Sequence, residues 1–263
     1  MERQTVVVNG LESHYLVGGS GPDVIFVHGW ASSARMWGGV LATLSHQFRC
    51  WALDLPGCGQ TEKPAPRWYS IPHFTAHVQE FARLMGITPL RLVGHSMGGM
   101  IVLDLAGRFP DSVARVAAIN PVVTGRANLR PLAHPKVTRR LLNWTLRLSP
   151  RVWQPILASP LSSRVSGVHH IRRRTEEFSQ GTADSLLFSG RAVVTYDLSP
   201  HLAEISAPAM IVIGDRDVNV PSGEARLADR RIPNCKLHVL RGGHMIADDR
   251  PRDVARLLGE FLA

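Results

Sequence analysis

Short apolar runs rich in branched and aromatic residues recur along the chain: TVVV from Thr5, HYLV from His14, VIFV from Val24, CWAL from Cys50, LRLV from Leu90, RVAAI from Arg115, AMIVI from Ala209 and KLHVL from Lys236. Each is bounded by turn-forming or polar residues, which is how strands read. The first two lie close enough to pair through the turn NGLE as an antiparallel edge hairpin. Between the later runs the apolar period lengthens to that of a helix, near residues 72 to 86, 97 to 108, 222 to 231 and 251 to 262. Pro251 fits the first turn of the last of these, where its missing N–H costs nothing. Strands alternating with helices predict an α/β fold, a mostly parallel eight-stranded sheet flanked by helices.

The alternation stops between about Pro121 and Pro200, where Arg-rich, Pro-punctuated helical patterns replace the strands. This predicts an inserted helical cap over residues 121–199, with a core made of 1–120 and 200–263. The clearest cap helix is VTRRLLNWTLRL. It puts Val137, Leu141, Trp144 and Leu148 in one stripe and turns Arg139, Arg140 and Arg147 away from it. The stripe packs onto the core, and part of it can roof an acyl pocket.

A length of 263 residues suits one such domain with its insertion. The chain has no apolar run long enough to span a bilayer, and its start, MERQTVVVNG, lacks a leader pattern, so a soluble, cytoplasmic protein is expected. Cys50, Cys58 and Cys235 have neither metal-ligand nor disulfide-framework spacing and read as reduced thiols. With no Gly-rich phosphate loop, zinc-spaced histidine pair or calcium loop, no cofactor and no metal are expected.

The chemistry gathers at LRLVGHSMGGM, residues 90 to 100. A strand, G-H-S-M-G and a helix in succession form a nucleophile elbow, in which Gly94 and Gly98 leave room for the tight turn that lifts Ser96 into the open. A serine hydroxyl needs a base, and the base needs a third group to orient it. GDRDVNVP follows the strand AMIVI, and RGGHMIADDRP follows KLHVL, so Asp217 is the candidate acid and His244 the candidate base. Asp215 is the rival acid, with turn stabilisation as its plainer role. Asp104, Asp184 and Asp197 have no comparable strand-end setting. His238 alternates with apolar residues and reads as a packed core residue, while His95, His169 and His170 lack a Gly-flanked loop. In VIFVHGWASS, His28 and Gly29 end a strand, so the backbone N–H of Trp30 is a candidate oxyanion donor, with the N–H of Met97 as the second. The Trp30 indole is free to pack as a core aromatic at the same time.

Taken together, HGW, LDLPGCGQTEKP, VGHSMGG, GDRDVNVP and GGHMIADDRP resemble the α/β-hydrolase fold family over essentially the whole chain. HGW with G-x-S-x-G-G and a helical cap is similar to the bacterial carboxylesterases that include the pimeloyl-carrier-protein methyl ester esterase of biotin synthesis. Gln60 and Thr61 stand where family members carry Arg-Ser or a similar pair, and Asp54 in that loop reads as a turn-holding carboxylate. The family's dehalogenases and epoxide hydrolases resemble one another in using a carboxylate nucleophile, so Ser96 points away from them. The resemblance implies a serine hydrolase cleaving a carboxylic ester through an acyl-enzyme. Two alternatives stay open: a carbon–carbon bond hydrolase or perhydrolase with the same triad, and a ligand-binding receptor on a hydrolase fold.

Charge bears on the substrate. The formal net charge is +9, and from Pro121 to Thr175 there are eleven basic residues and no acid. The stretch is either a solvated face or a field that steers an anionic partner. The partners considered are an acidic acyl carrier protein presenting the ester, reached through Arg139, Arg140, Arg147, Arg172, Arg173 and Arg174, an anionic small molecule, or a membrane surface without stable insertion. No binding motif interleaves aromatics with these charges, so nucleic acid is not expected.

Overall fold

The computed structural model describes residues 1–127, 140 and 171–263. Its centre is one eight-stranded sheet in the order β1-β2-β4-β3-β5-β6-β7-β8. The strands are β1 Glu2–Val8, β2 Leu11–Gly18, β3 Asp23–Val27, β4 Arg49–Leu53, β5 Leu90–His95, β6 Val113–Ile119, β7 Ala209–Gly214 and β8 Cys235–Leu240. β1 and β2 form the expected antiparallel hairpin, β2 runs antiparallel to β4, and every pairing from β4 to β8 is parallel. All eight apolar runs are therefore strands. The central ones are buried on both faces, which is why they read as continuous apolar stretches.

Helices cover both sides. α1 Gly38–Leu44 and the last helix, Pro251–Leu262, share one apolar layer through Val40, Leu41, Leu44, Val254 and Leu258. α2 Ile71–Leu84 and α3 Met97–Arg108 lie in the other layer. α2 begins where the sequence provides a start signal: the Ser70 hydroxyl accepts from the His73 N–H at 3.3 Å, and Pro72 occupies the first turn. Ile71, Phe74, Val78 and Phe81 then make its buried stripe. α1 was not expected from the sequence, because GGVLATL opens on two poor helix formers and is held by packing instead.

Within the cap interval, α4 Ile171–Gln180 and α5 Ala183–Thr195 are described. α5 starts in a capping box between Thr182 and Ser185 and buries Leu186, Leu187 and Val193. Arg140 is helical and exposed, whereas the rest of the stripe helix with Arg139 and Arg147, and also His169 and His170, lie outside the described residues. After β7 come α6 Ser222–Arg231, then β8, the short α7 Ile246–Asp249, and α8 Pro251–Leu262. No described helix is long and apolar enough to cross a membrane. One expectation is corrected. His238 is not a core residue, since β8 is the edge of the sheet and its residues are partly or fully exposed.

Candidate active site

The elbow explains why Ser96 is fenced by glycines. Ser96 has φ 53° and ψ −114°, a conformation that L residues seldom adopt and that is held here by the turn from β5 into α3. A Cβ on Gly94 would lie 2.2 Å from the Gly98 carbonyl oxygen, and one on Gly98 would lie 2.2 Å from the carbonyl oxygen of Val27 at the end of β3. Both contacts are with backbone, which cannot step aside as a flexible side chain can. The Ser96 N–H is tied to the Ile119 carbonyl at 2.9 Å, anchoring the turn to β6.

The loops after β7 and β8 meet. His244 Nδ1 lies 2.7 Å from Asp217 Oδ2, and Asp217 Oδ1 accepts from the N–H groups of Asn219 and Val220 at 2.8 and 3.0 Å. Burial works to raise the Asp217 carboxyl. The hydrogen bond and charge of His244 and the two backbone donors outweigh it and hold the group below its ordinary value. Asp215 does something else. Its carboxylate accepts from the Gly242 N–H at 2.9 Å, and its side chain is 45% exposed, so it braces the two loops from the outside.

Two residues without a role at the level of sequence hold the His244 loop. Asn120 Nδ2 and His95 Nε2 each lie 2.7 Å from the His244 carbonyl oxygen, and Asn120 Oδ1 accepts from the Gly214 N–H at 2.9 Å. A single amide thus joins the starts of the acid and base loops. The His95 ring lies 4.8 Å from that of His244, and burial, then the charge of His244, push His95 down to about 3. It is therefore neutral, with Nε2–H as the donor. His95 adjoins Ser96, so this tilted ring contact brings the histidine loop beside the elbow.

The loop after β3 completes the surroundings. His28 Nδ1 donates to the Gly29 carbonyl at 2.7 Å, and its Nε2 accepts from the Leu55 N–H at 2.9 Å. A Cβ on Gly29 would stand 3.2 Å from Ser96 Cβ, so this loop runs directly beside the elbow and leads into Trp30. The Trp30 indole N–H donates to the Leu186 carbonyl of α5 at 2.9 Å, which turns the ring toward that helix. Met97 opens α3, where the first N–H groups of a helix lack intrahelical acceptors. Asp54 takes the Ala34 N–H at 2.7 Å and the Gln60 N–H at 3.1 Å, while the Thr61 hydroxyl donates to the Asp54 carbonyl at 2.7 Å. Asp54, Gln60 and Thr61 accordingly hold the shape of the loop after β4.

The candidate carrier-binding arginines separate. Arg172 is 85% exposed, and Arg140 is exposed. Arg174 is half-buried, and desolvation pulls its pKa down. Arg173 is 15% exposed and is held against Asp248 through both terminal nitrogens, one at 3.1 Å from Oδ1 and the other on Oδ2, so it does not stand free to meet a carrier. Burial pushes the thiols of Cys50, Cys58 and Cys235 up to about 12, which leaves them poor nucleophiles. Among the described residues, no three His, Cys, Asp or Glu side chains gather as a metal cage would require.

Comparison with known proteins places this geometry. The family described as the alpha/beta hydrolase fold matches residues 22–251. A pimeloyl-[acyl-carrier protein] methyl ester esterase of Nitrosomonas europaea is 28% identical, with 85% of this chain and 88% of that protein covered. A fluoroacetate dehalogenase of a Burkholderia species is 26% identical, over 100% of this chain and 94% of its own. Among solved structures, an E-2-(acetamidomethylene)succinate hydrolase superposes with a TM-score of 0.84 at 21% identity, over 99% of this chain and 98% of the other, a likeness of fold.

Proposed function

Since the chain belongs to the alpha/beta hydrolase fold family and is a hydrolase, we propose that it cleaves a carboxylic ester through an acyl-enzyme on Ser96. Ser96 Oγ attacks the ester carbonyl while His244 Nε2 takes its proton, and Asp217 fixes the histidine's orientation and stabilises the imidazolium. The N–H groups of Trp30 and Met97 receive the developing oxyanion. His244 returns the proton to the departing alcohol, then takes one from the water that releases the acid. The observation that carries this reading is the 2.7 Å contact between His244 and Asp217, with the His244 ring 4.8 Å from that of His95, the neighbour of Ser96 in the elbow. In this reading residues 1–120 and 200–263 are the core and 121–199 the cap, in a cytoplasmic protein.

A panel of p-nitrophenyl esters of increasing acyl length tests the reaction class: turnover is expected, with an optimum length that reports the pocket, and no turnover on any member would leave the carbon–carbon hydrolase and receptor alternatives. The same assay gives a pH prediction. Asp217 is held below the usual carboxylate range and His95 is held neutral, so neither should add a protonation step to kcat/KM between about pH 8 and 5. A slope of two protons in that window would contradict these two assignments.

The relative from Nitrosomonas europaea bears a name that specifies a carrier-bound methyl ester, and a carrier-borne acyl ester is the finer proposal here. Arg172, Arg174 and Arg140, with Arg139 and Arg147, are the cations it enlists, and Arg173 is left out because Asp248 holds it. If these residues capture an acidic carrier, kcat/KM for a carrier-bound ester should fall steeply as salt rises, since charges are screened beyond about 8 Å at physiological ionic strength. The free methyl ester should hardly respond. Reversing Arg139, Arg140, Arg147 and Arg172 to Glu should reproduce the effect on the carrier substrate alone. Parallel salt curves for the two esters would leave a small-ester carboxylesterase whose cap is incidentally basic.

A further inference from the structure

α4 is tied to both loops on which the proposed chemistry depends. Glu177 accepts from the hydroxyls of Ser33 at 2.7 Å and Ser32 at 3.1 Å, three and two residues beyond Trp30. One turn earlier on the same helix, Arg173 Nε stands 3.4 Å from Glu177 Oε1 as an ion pair. The guanidinium of Arg173 reaches the Arg35 carbonyl at 3.1 Å and forks onto the carboxylate of Asp248, in the α7 turn that follows His244. The contacts form a continuous line from the loop of Trp30, through Glu177 and Arg173, to the loop of His244. Little of it faces water: side-chain exposure is 1% for Glu177, 15% for Arg173 and 5% for Asp248. Trp30 to Leu186 and Arg35 to Glu176 at 3.3 Å add further ties between the cap interval and the Trp30 loop.

A buried ion pair is weak evidence for stability, because desolvation cancels much of the attraction. Its geometry is directional, however, and a planar fork on a carboxylate sets both distance and orientation. An oxyanion donor holds the carbonyl oxygen while the base takes the proton of the hydroxyl attacking the same carbonyl, and a misplacement of about 1 Å between such groups can lower a rate by roughly 100-fold.

We propose that Arg173 and Glu177 are positioning residues: together they form a strut that sets the Trp30 N–H relative to the His244 ring, so that the cap takes part in catalytic alignment as well as in enclosing the acyl group. The proposal rests on the acyl-enzyme reading above. It departs from the view of the cap as a selector of substrate, because the strut matters even for an acyl group too small to touch the cap.

The test is the kinetics of Glu177→Gln, Arg173→Met and Arg173→Lys on p-nitrophenyl acetate, with folding followed by thermal unfolding. Glu177→Gln and Arg173→Met should lower kcat by about 10- to 100-fold while KM stays within about twofold. Affinity for a trifluoromethyl ketone, which mimics the tetrahedral oxyanion, should weaken by the same factor. Arg173→Lys keeps the charge but not the fork and should recover little of the loss. If Glu177→Gln does not fold, Ser33→Ala removes a single bond of the same line and should show the same split on a smaller scale. Unchanged kcat in folded variants, a rise in KM alone, or full recovery with Lys would overturn the strut. The reading beneath it fails separately: a Ser96→Ala protein that keeps its esterase activity sinks the acyl-enzyme, whatever the strut variants do.

Discussion

Ser96→Ala is expected to lower kcat on every ester turned over by the wild type by about 10⁴- to 10⁶-fold, and His244→Ala to cost about as much. The two losses should be alike because nucleophile and base act as a unit: without the base the hydroxyl is un-ionised, and without the hydroxyl the base has no proton to move. Both proteins should fold. The Ser96 side chain makes no capping bond to α3, and alanine meets the same backbone conformation at φ 53° with no larger a Cβ. The His244 carbonyl, which receives Asn120 and His95, belongs to the backbone and survives the substitution. Purified Ser96→Ala with a wild-type melting profile and a tenth of wild-type activity would remove Ser96 from the mechanism. Serine labelling by a fluorophosphonate, lost in Ser96→Ala and retained in Asp215→Asn, is a check independent of turnover.

Asp217→Asn should cost about 10⁴-fold in kcat, the scale of the same change in triads on other folds. The two backbone bonds from Asn219 and Val220 would still find Oδ1, so the loop keeps its shape. What changes is the face toward His244. An amide nitrogen there cannot accept from Nδ1–H, so the ring is driven to the tautomer whose Nε2 carries a proton and cannot take one from Ser96. Asp215→Asn retains an oxygen for the Gly242 N–H and should leave kcat close to wild type. Steady-state kinetics of the two variants side by side decide the assignment, and the reverse order would move the acid to Asp215.

The eight strands could be read from the sequence because each is a short apolar run between turn residues, and burial on both faces of a parallel sheet is a local property of composition. The G-x-S-x-G stretch is equally local: Gly94, Ser96 and Gly98 crowd a single turn, and the carbonyls that forbid a Cβ belong to Gly98 and to Val27, at the end of the strand beside β5. α1 was hidden because its first two residues disfavour a helix and its order comes from packing against α8. Asp215 and Asp217 share one turn, where the sequence ranks Asp217 first and leaves Asp215 as its rival. The separation comes from the β8 loop, which presents the Gly242 N–H to one and the His244 ring to the other. Asn120 meets its partners 94 and 124 positions away, His95 its partner 149 away, and Glu177 its serines 144 and 145 away. Contacts at such separations leave no periodicity and no spacing in the chain, since a side chain needs only to arrive where the sheet order brings two strand ends together. Arg173 makes the same point from the opposite side: in the sequence it is one of a basic triplet that reads as a solvated face or a steering field, and only the turn carrying Asp248 makes it a largely enclosed partner. The identities of the candidate reacting groups are thus written in local motifs, while their orientation is decided by loops that meet only once the sheet has closed.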